Sequence, residues 1–295
     1  MLNMPFNPLK TELGDLDFSV SKVPMSFNMP KGGQEVPDHD ALVRDDTGEV
    51  MTVVGKNYGI VQNRELFSDI DRQIASIFSK SKLRGATVRN CLAYKGGICM
   101  REYAFPAVKY SKKLADTKTN LYFRLVAVNG HGGTALKVIA GAFDGYCING
   151  TIFGEAQASF LRRHSKGARV ADITSQISAA VKLFPKMCKL YDSWAATGVK
   201  DRAVKSLLDS TEFSEQIQEK LFARWKKESN VRGATVWALY SALTYYARDD
   251  ENEFAIRNTK RDHKVATLLN RERRVAKVTK SKAWEKFAPQ LSEVA

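Results

Sequence analysis

The sequence predicts an α+β fold, in which an antiparallel β-meander packs on a long helix and a helical C-terminal part follows. Three observations predict it. Strand signals run consecutively from residue 86 to 143, so the strands need no crossover helices between them. The period turns helical from Ala171, with Ile173, Ile177, Val181, Phe184, Cys188, Tyr191 and Trp194 on one stripe. The remainder of the chain keeps helical spacing. The expected organisation is an irregular N-terminal arm over 1–40, an α+β core with a basic meander over 41–197, and a helical region with a basic tail over 198–295.

The arm is rich in Pro, Gly, Asn and polar residues and shows no sustained period, which suggests order only against a neighbour. "ALVRDDTGEVMTVVG" (41–55) reads as a hairpin about Asp45, Asp46, Thr47 and Gly48. Next, "NRELFSDIDRQIASIFSK" places Leu66, Phe67, Ile70, Ile74, Ile77 and Phe78 on one helical face, with Asn63 as N-cap. "ATVRNCLAY" and "ICMREYAFP" flank the turn "YKGG". "NLYFRLVAVNGHGGTALKVIAGAF" (120–143) supplies two more strands. At its bend, Gly130, Gly132 and Gly133 read as positive-φ positions and His131 as a turn histidine. "CINGTIFG" and "ASFLRRHS" are weaker runs, and Pro185 should kink or split the long helix.

Net charge is +14, and its placement matters more than its size. Residues 80–169 hold 16 Lys or Arg against 4 Asp or Glu, and residues 257–286 hold 11 against 3. Such segregation costs self-repulsion unless a polyanion shares the surface, which points to nucleic acid or an anionic membrane; a solvated basic face is the bland alternative. No segment reaches the roughly 18 apolar residues of a membrane helix. The first thirty residues, with four prolines, do not read as a secretory signal. Four scattered cysteines make no disulfide framework, so a cytoplasmic setting without membrane attachment is expected. P-loop, dinucleotide-binding, H-E-x-x-H, C-x-x-C and G-x-S-x-G patterns are missing, so catalysis has no anchor and no cofactor is expected. His131 and His164, with Cys147 between them, lack the tight spacing of a metal site.

Alternation along the strands separates two faces. With Val88, Leu92, Ile98, Met100, Leu121, Phe123 and Leu125 inward, the other face receives Arg89, Arg101, Tyr103, Tyr122 and Arg124, and Lys137 joins them. Guanidinium groups interleaved with tyrosines suit single-stranded nucleic acid, because cations track phosphates and rings stack on bases of any identity. Solvated cross-strand pairs would use the same residues, and a slip of one residue would exchange the faces. Arg162, Arg163 and Lys166 extend the cationic track, and Arg273 and Arg274 of the tail form a second candidate contact.

Several stretches together resemble the phage and plasmid-like family catalogued as domain-of-unknown-function 932. They are "VVGKNYGIVQNRELFSDID", "VNGHGGTALKV", "GYCINGTIFG", "SFLRRHSKGAR" and "GATVWALYSALTYYARDD", which together span most of residues 50–285. The family's usual acid after His131 is Gly132 here, which argues against a metal or acid–base role at the bend. The resemblance implies a phage, prophage or plasmid setting, hence bacterial cytoplasm, and no activity. In element order the chain is also similar to single-strand annealing proteins of the RecT and Red beta kind, which form rings or filaments on DNA.

The expectation is therefore a non-enzymatic recombination protein that binds single-stranded DNA, anneals complementary strands without ATP and self-assembles into a ring or filament. Two rivals stand beside it: a phage regulatory protein docking an acidic host partner, and a metal-dependent nucleic-acid enzyme using His131 and His164.

Overall fold

The computed structural model describes residues 3–7, 9–30, 32–114, 117–132, 135–144, 150–152, 159–162, 164, 176–249, 252–256 and 261–290. The fold is α+β. A large antiparallel sheet runs in the order β1 (Met4–Pro5), β5 (Thr87–Ala93), β6 (Ile98–Leu114), β7 (Thr117–Asn129), β8 (Leu136–Asp144) and β10 (Ser159–Arg162), with β9 (Gly150–Ile152) also on β8. A smaller sheet joins β2 (Val20–Met29), β3 (Gly32–Arg44) and β4 (Val50–Gly55). The helices are α1 (Asn63–Ile77), α2 (Lys80–Leu83), α3 (Gln176–Ala196), α4 (Asp201–Asp209), α5 (Glu215–Arg232), α6 (Val236–Arg248), α7 (Arg261–Thr279) and α8 (Lys282–Glu285).

The expected order of hairpin, helix, meander, long helix and helical C-terminal part is present. Leu66, Phe67, Ile70 and Ile74 of α1 are fully buried, as their spacing requires. Each such burial contributes roughly 1.5–3 kcal/mol. α3 presents Ile177, Phe184, Cys188, Tyr191 and Trp194 to the same core. Pro185 neither ends nor splits α3; it lies on the exposed side, where water solvates the carbonyl its missing N–H leaves free. Tyr191 packs on Trp237 at 4.9 Å and Trp194 on Trp284 at 5.4 Å between ring centroids, so the C-terminal helices share the core of the sheet.

Three local expectations are corrected. The N-terminal arm is not irregular, because β2 and most of β3 form a long antiparallel ribbon within it. Pro24 lies on the edge strand β2, and Pro37 lies in the stretch of β3 that pairs with neither β2 nor β4, so neither removes a ladder hydrogen bond from a central position. Gln62, not Asn63, is the N-cap of α1, and the Asn63 side chain turns into the core. At the β7–β8 bend neither Gly130, His131 nor Gly132 has positive φ, and Gly133 lies outside the described residues. The strained turn is instead β5–β6, where Tyr94, Lys95 and Gly96 are left-handed and a Cβ on Gly96 would stand 2.5 Å from the Phe18 ring.

Both faces of the large sheet are covered along much of its length. α1 and α3 lie over one, with Val88, Tyr103, Phe105, Phe123, Leu125 and Val138 in the main core. α7 lies over the other, where Ala266 and Leu269 pack on Cys91, Ala93, Ile98, Met100, Val126 and Val128.

Candidate nucleic-acid interface and a buried histidine pair

Directly opposed residues of an antiparallel pair share a face. Val88 stands opposite Tyr103, and Tyr103 opposite Leu125. Tyr103 and Arg101 therefore belong to the core face, and Ile98 and Met100 to the other, so the expected assignment of β6 is inverted. Hydrophobicity misleads there because α7 makes the second face apolar as well.

Arg101 and Tyr103 are buried, not exposed (1% and 0%). Arg101 Nη2 donates to Asp71 Oδ2 at 3.1 Å. Its Nη1 donates to the Glu12 carbonyl and to Asn90 Oδ1, each at 2.8 Å, and its Nε donates to Tyr103 Oη at 3.0 Å. Tyr103 in turn donates to Asp71 Oδ1 at 2.6 Å, and burial pushes its phenol pKa up. Four of the five N–H groups of this guanidinium are engaged, and its burial keeps a phosphate away from the fifth.

On the opposite face, Arg89 and Arg124 both pair with Glu102. Arg248 of α6 donates to the same carboxylate at 2.8 Å and lies 3.2 Å from Glu272 of α7. Arg124 is only 2% exposed beneath that helix. Burial raises the Glu272 carboxyl to about 7 despite the Arg248 charge beside it. Three arginines thus share two glutamates inside the fold, a cluster that keeps a net positive charge but engages each guanidinium. A DNA strand cannot reach Arg101, Tyr103 or Arg124, and Arg89 is engaged with Glu102.

Other candidates remain accessible. Tyr122 is half-buried and stands opposite Lys109, which is exposed. Lys137 is partly exposed, between Val128 and Leu161 in the ladder. Arg273 and Arg274 are exposed on α7, with Arg273 donating to Asn270 Oδ1 at 3.0 Å. Arg274 and Lys277 line a groove of about 140 Å³ with Ser210, Thr211 and Ser281. Arg162 ends β10 opposite Leu136, while Arg163 and Lys166 lie outside the described residues. One surface was missed: Lys182 and Lys186 are exposed on α3, and their spacing opposite its apolar stripe was the available signal.

The ribbon formed by β6 and β7 outruns the covered sheet. β8 pairs with β7 only as far as Leu121–Asp144, whereas β6 and β7 continue to Leu114–Thr117. In that extension Lys113 stands opposite Lys118 and Lys112 opposite Thr119, and at its base, where β8 still pairs with β7, Lys109 stands opposite Tyr122. Like charges at opposed positions destabilise a ribbon by themselves.

His131 and His164 converge across 33 positions of sequence, with ring centroids 6.4 Å apart. His131 is fully buried. Its Nε2 lies 3.2 Å from Asn63 Oδ1, an acceptor, so Nε2 carries the proton and Nδ1 is a bare lone pair. Asn129 Nδ2 donates to the same Asn63 oxygen and to the Val61 carbonyl, each at 2.9 Å. His164 Nδ1 faces the Gly59 carbonyl at 3.3 Å, Tyr58 stacks on its ring at 5.0 Å, and its Nε2 is left bare. Neither bare nitrogen has a hydrogen-bond partner among the described residues. Burial, with His164 alongside, pushes His131 down to about 4, and burial lowers His164 too. Both rings are neutral at neutral pH, hence proton acceptors or metal donors. Among the described residues no three His, Cys, Asp or Glu side chains gather as a metal site, and no helix is long and apolar enough to cross a membrane.

The family profile described as "Domain of unknown function (DUF932)" matches residues 50–275. The chain belongs to the DUF932 family. No curated protein and no solved structure matches it. In this DUF932 chain, three of the segments that carry the resemblance meet at the histidine pair. "KNYGIVQN" brings Tyr58 and Asn63, "VNGHGG" brings Asn129 and His131, and "SFLRRHS" brings His164.

Proposed function

We propose that this protein binds single-stranded DNA in phage or mobile-element recombination and promotes annealing of complementary strands without ATP, in the cytoplasm of a bacterial host. One observation carries the reading. The β6–β7 extension sets Lys112, Lys113 and Lys118 on a two-stranded ribbon with Lys109 at its base, and the sequence from 109 to 122 holds the single acid Asp116. A polyanion relieves the repulsion built into that ribbon, and Tyr122 at its base offers a ring to stack on a base. The contact surface is thus the ribbon, with exposed Arg273 and Arg274 as a second element, and not the sealed centre of the sheet. Annealing runs downhill once two extended strands are neutralised and aligned, so no nucleotide is needed.

Gel shifts of single and double strands at low and high salt test it. Tighter binding of single strands, with affinity falling as salt rises, is expected. Absence of binding at low salt, or equal binding of duplex, would overturn it. A second reading, an enzyme acting on nucleic acid, draws on the paired bare nitrogens of His131 and His164. Cleavage that needs a divalent metal and disappears in His131→Ala would establish it in place of the first.

A further inference from the structure

The smaller sheet has an outer face that no other part of the described chain covers. Leu42 is fully buried, with Lys22 and Thr52 opposite it, so these positions face inward. Alternation then turns Val23 and Val53 outward in one cross-strand row, with the small Ala41 (8% exposed) between them, and Val43 and Val50 in the next. Val23 is 44% exposed, Val53 48% and Val50 63%. A row of valines in water marks a contact surface. Beyond His39, β4 no longer pairs, and Ser26–Met29 and Gly32–Glu35 bond only to each other. An isolated two-stranded ribbon is marginal in water, which is a second sign that something rests on it.

Charge says what rests there. Residues 1–50 carry four Lys or Arg against nine Asp or Glu, a net of −5, and the remaining residues therefore carry +19. Glu35, Asp38 and Asp45 make no ion pair among the described residues, unlike Asp40, Asp46 and Glu49, which pair with Lys56, Arg44 and Lys95. Two such ribbons would repel each other, whereas the rest of a second chain attracts one.

We infer that the outer face of β2–β3–β4 docks on the basic body of a second copy of this chain. The contact is heterologous: each copy gives its acidic, valine-faced ribbon and receives another's, so assembly proceeds head to tail into a ring or filament. The inference stands without DNA binding and can hold or fail independently of it.

Light scattering on the full chain, without nucleic acid, tests this across a concentration series at low and high salt. Species larger than a dimer are expected at low salt, dissociating as salt rises. Val23→Lys with Val53→Lys keeps the fold, because both side chains are already about half exposed and a lysine can lay its stem there with its charge in water, and leaves a monomer. Glu35→Lys with Asp38→Asn weakens assembly about tenfold; asparagine suits the left-handed backbone at Asp38 (φ 63°). Circular dichroism confirms that each variant is folded. A chain that stays monomeric at every concentration overturns the inference and leaves the patch to a different protein. A salt-resistant dimer insensitive to Glu35→Lys overturns it too, since that is valine stacked on valine about a two-fold axis.

Discussion

Replacing His131 by asparagine should remove a large part of the protein's sensitivity to mild acid. His131 is held down to about 4 in the fold, against 6.5 for an ordinary histidine. Between those values the unfolded chain binds a proton that the folded chain refuses. Stability is therefore intact above about 6.5 and is lost as pH falls towards 4. At 1.36 kcal/mol per pH unit, the full loss is about 3 kcal/mol, of which about 2 kcal/mol has gone by roughly pH 5. The geometry gives the cause: protonating Nδ1 would place a new donor where no acceptor waits among the described residues. Urea denaturation of the parent and His131→Asn at a series of pH values measures it. The difference between the two curves cancels most other groups. It should change by about 2 kcal/mol between neutral pH and roughly pH 5, with the parent losing more. Parallel curves would show that His131 titrates normally and that its buried, unprotonated state is wrong.

Other outcomes follow from the same structure. Arg101→Ala should cost about 3–5 kcal/mol by leaving Asp71 buried without its partner, while DNA affinity per folded molecule stays unchanged; thermal melts and binding to the folded fraction read the two effects. Glu272 titrates in the opposite sense to His131: its folded value near 7 lies above the ordinary 4.5, so its contribution is complete below about 4.5 and is lost as pH rises through 7. Glu272→Gln should accordingly flatten the decline in stability between about pH 5 and 8, and an unchanged slope would contradict that burial. Tyr122→Ala should weaken single-strand binding by about 1–3 kcal/mol if the ring stacks on a base, measured by fluorescence anisotropy.

Periodicity made much of this fold legible. The apolar stripes of α1 and α3 are buried residue for residue at Leu66, Phe67, Ile70, Ile74, Phe184, Cys188 and Tyr191. The failures share a physical cause, since they depend on partners that local sequence does not reveal. Arg101 reads as a surface cation until Asp71, thirty positions earlier, is seen to hold it. Arg124 is claimed by Glu102 and by Glu272 from the C-terminal helix. Met100 looks inward by composition, yet the face it occupies is apolar only because α7 folds back over it. His131 among glycines suggests a turn, and its burial depends on Asn63 and on a histidine 33 residues downstream. The N-terminal ribbon was hidden by its prolines, which fit because Pro24 lies on an edge strand and Pro37 lies where β3 pairs with neither neighbour.

On the proposed function, the lysine-rich end of the β6–β7 ribbon, and not the sealed arginines at the centre of the sheet, carries single-stranded DNA. The most direct measurement is the salt dependence of oligonucleotide binding for the parent and for a variant with Lys109, Lys112, Lys113 and Lys118 all changed to glutamine. The slope of log affinity against log salt should become shallower by about 3, at roughly 0.7 for each phosphate that the variant no longer neutralises. An unchanged slope and affinity in that variant would contradict the claim.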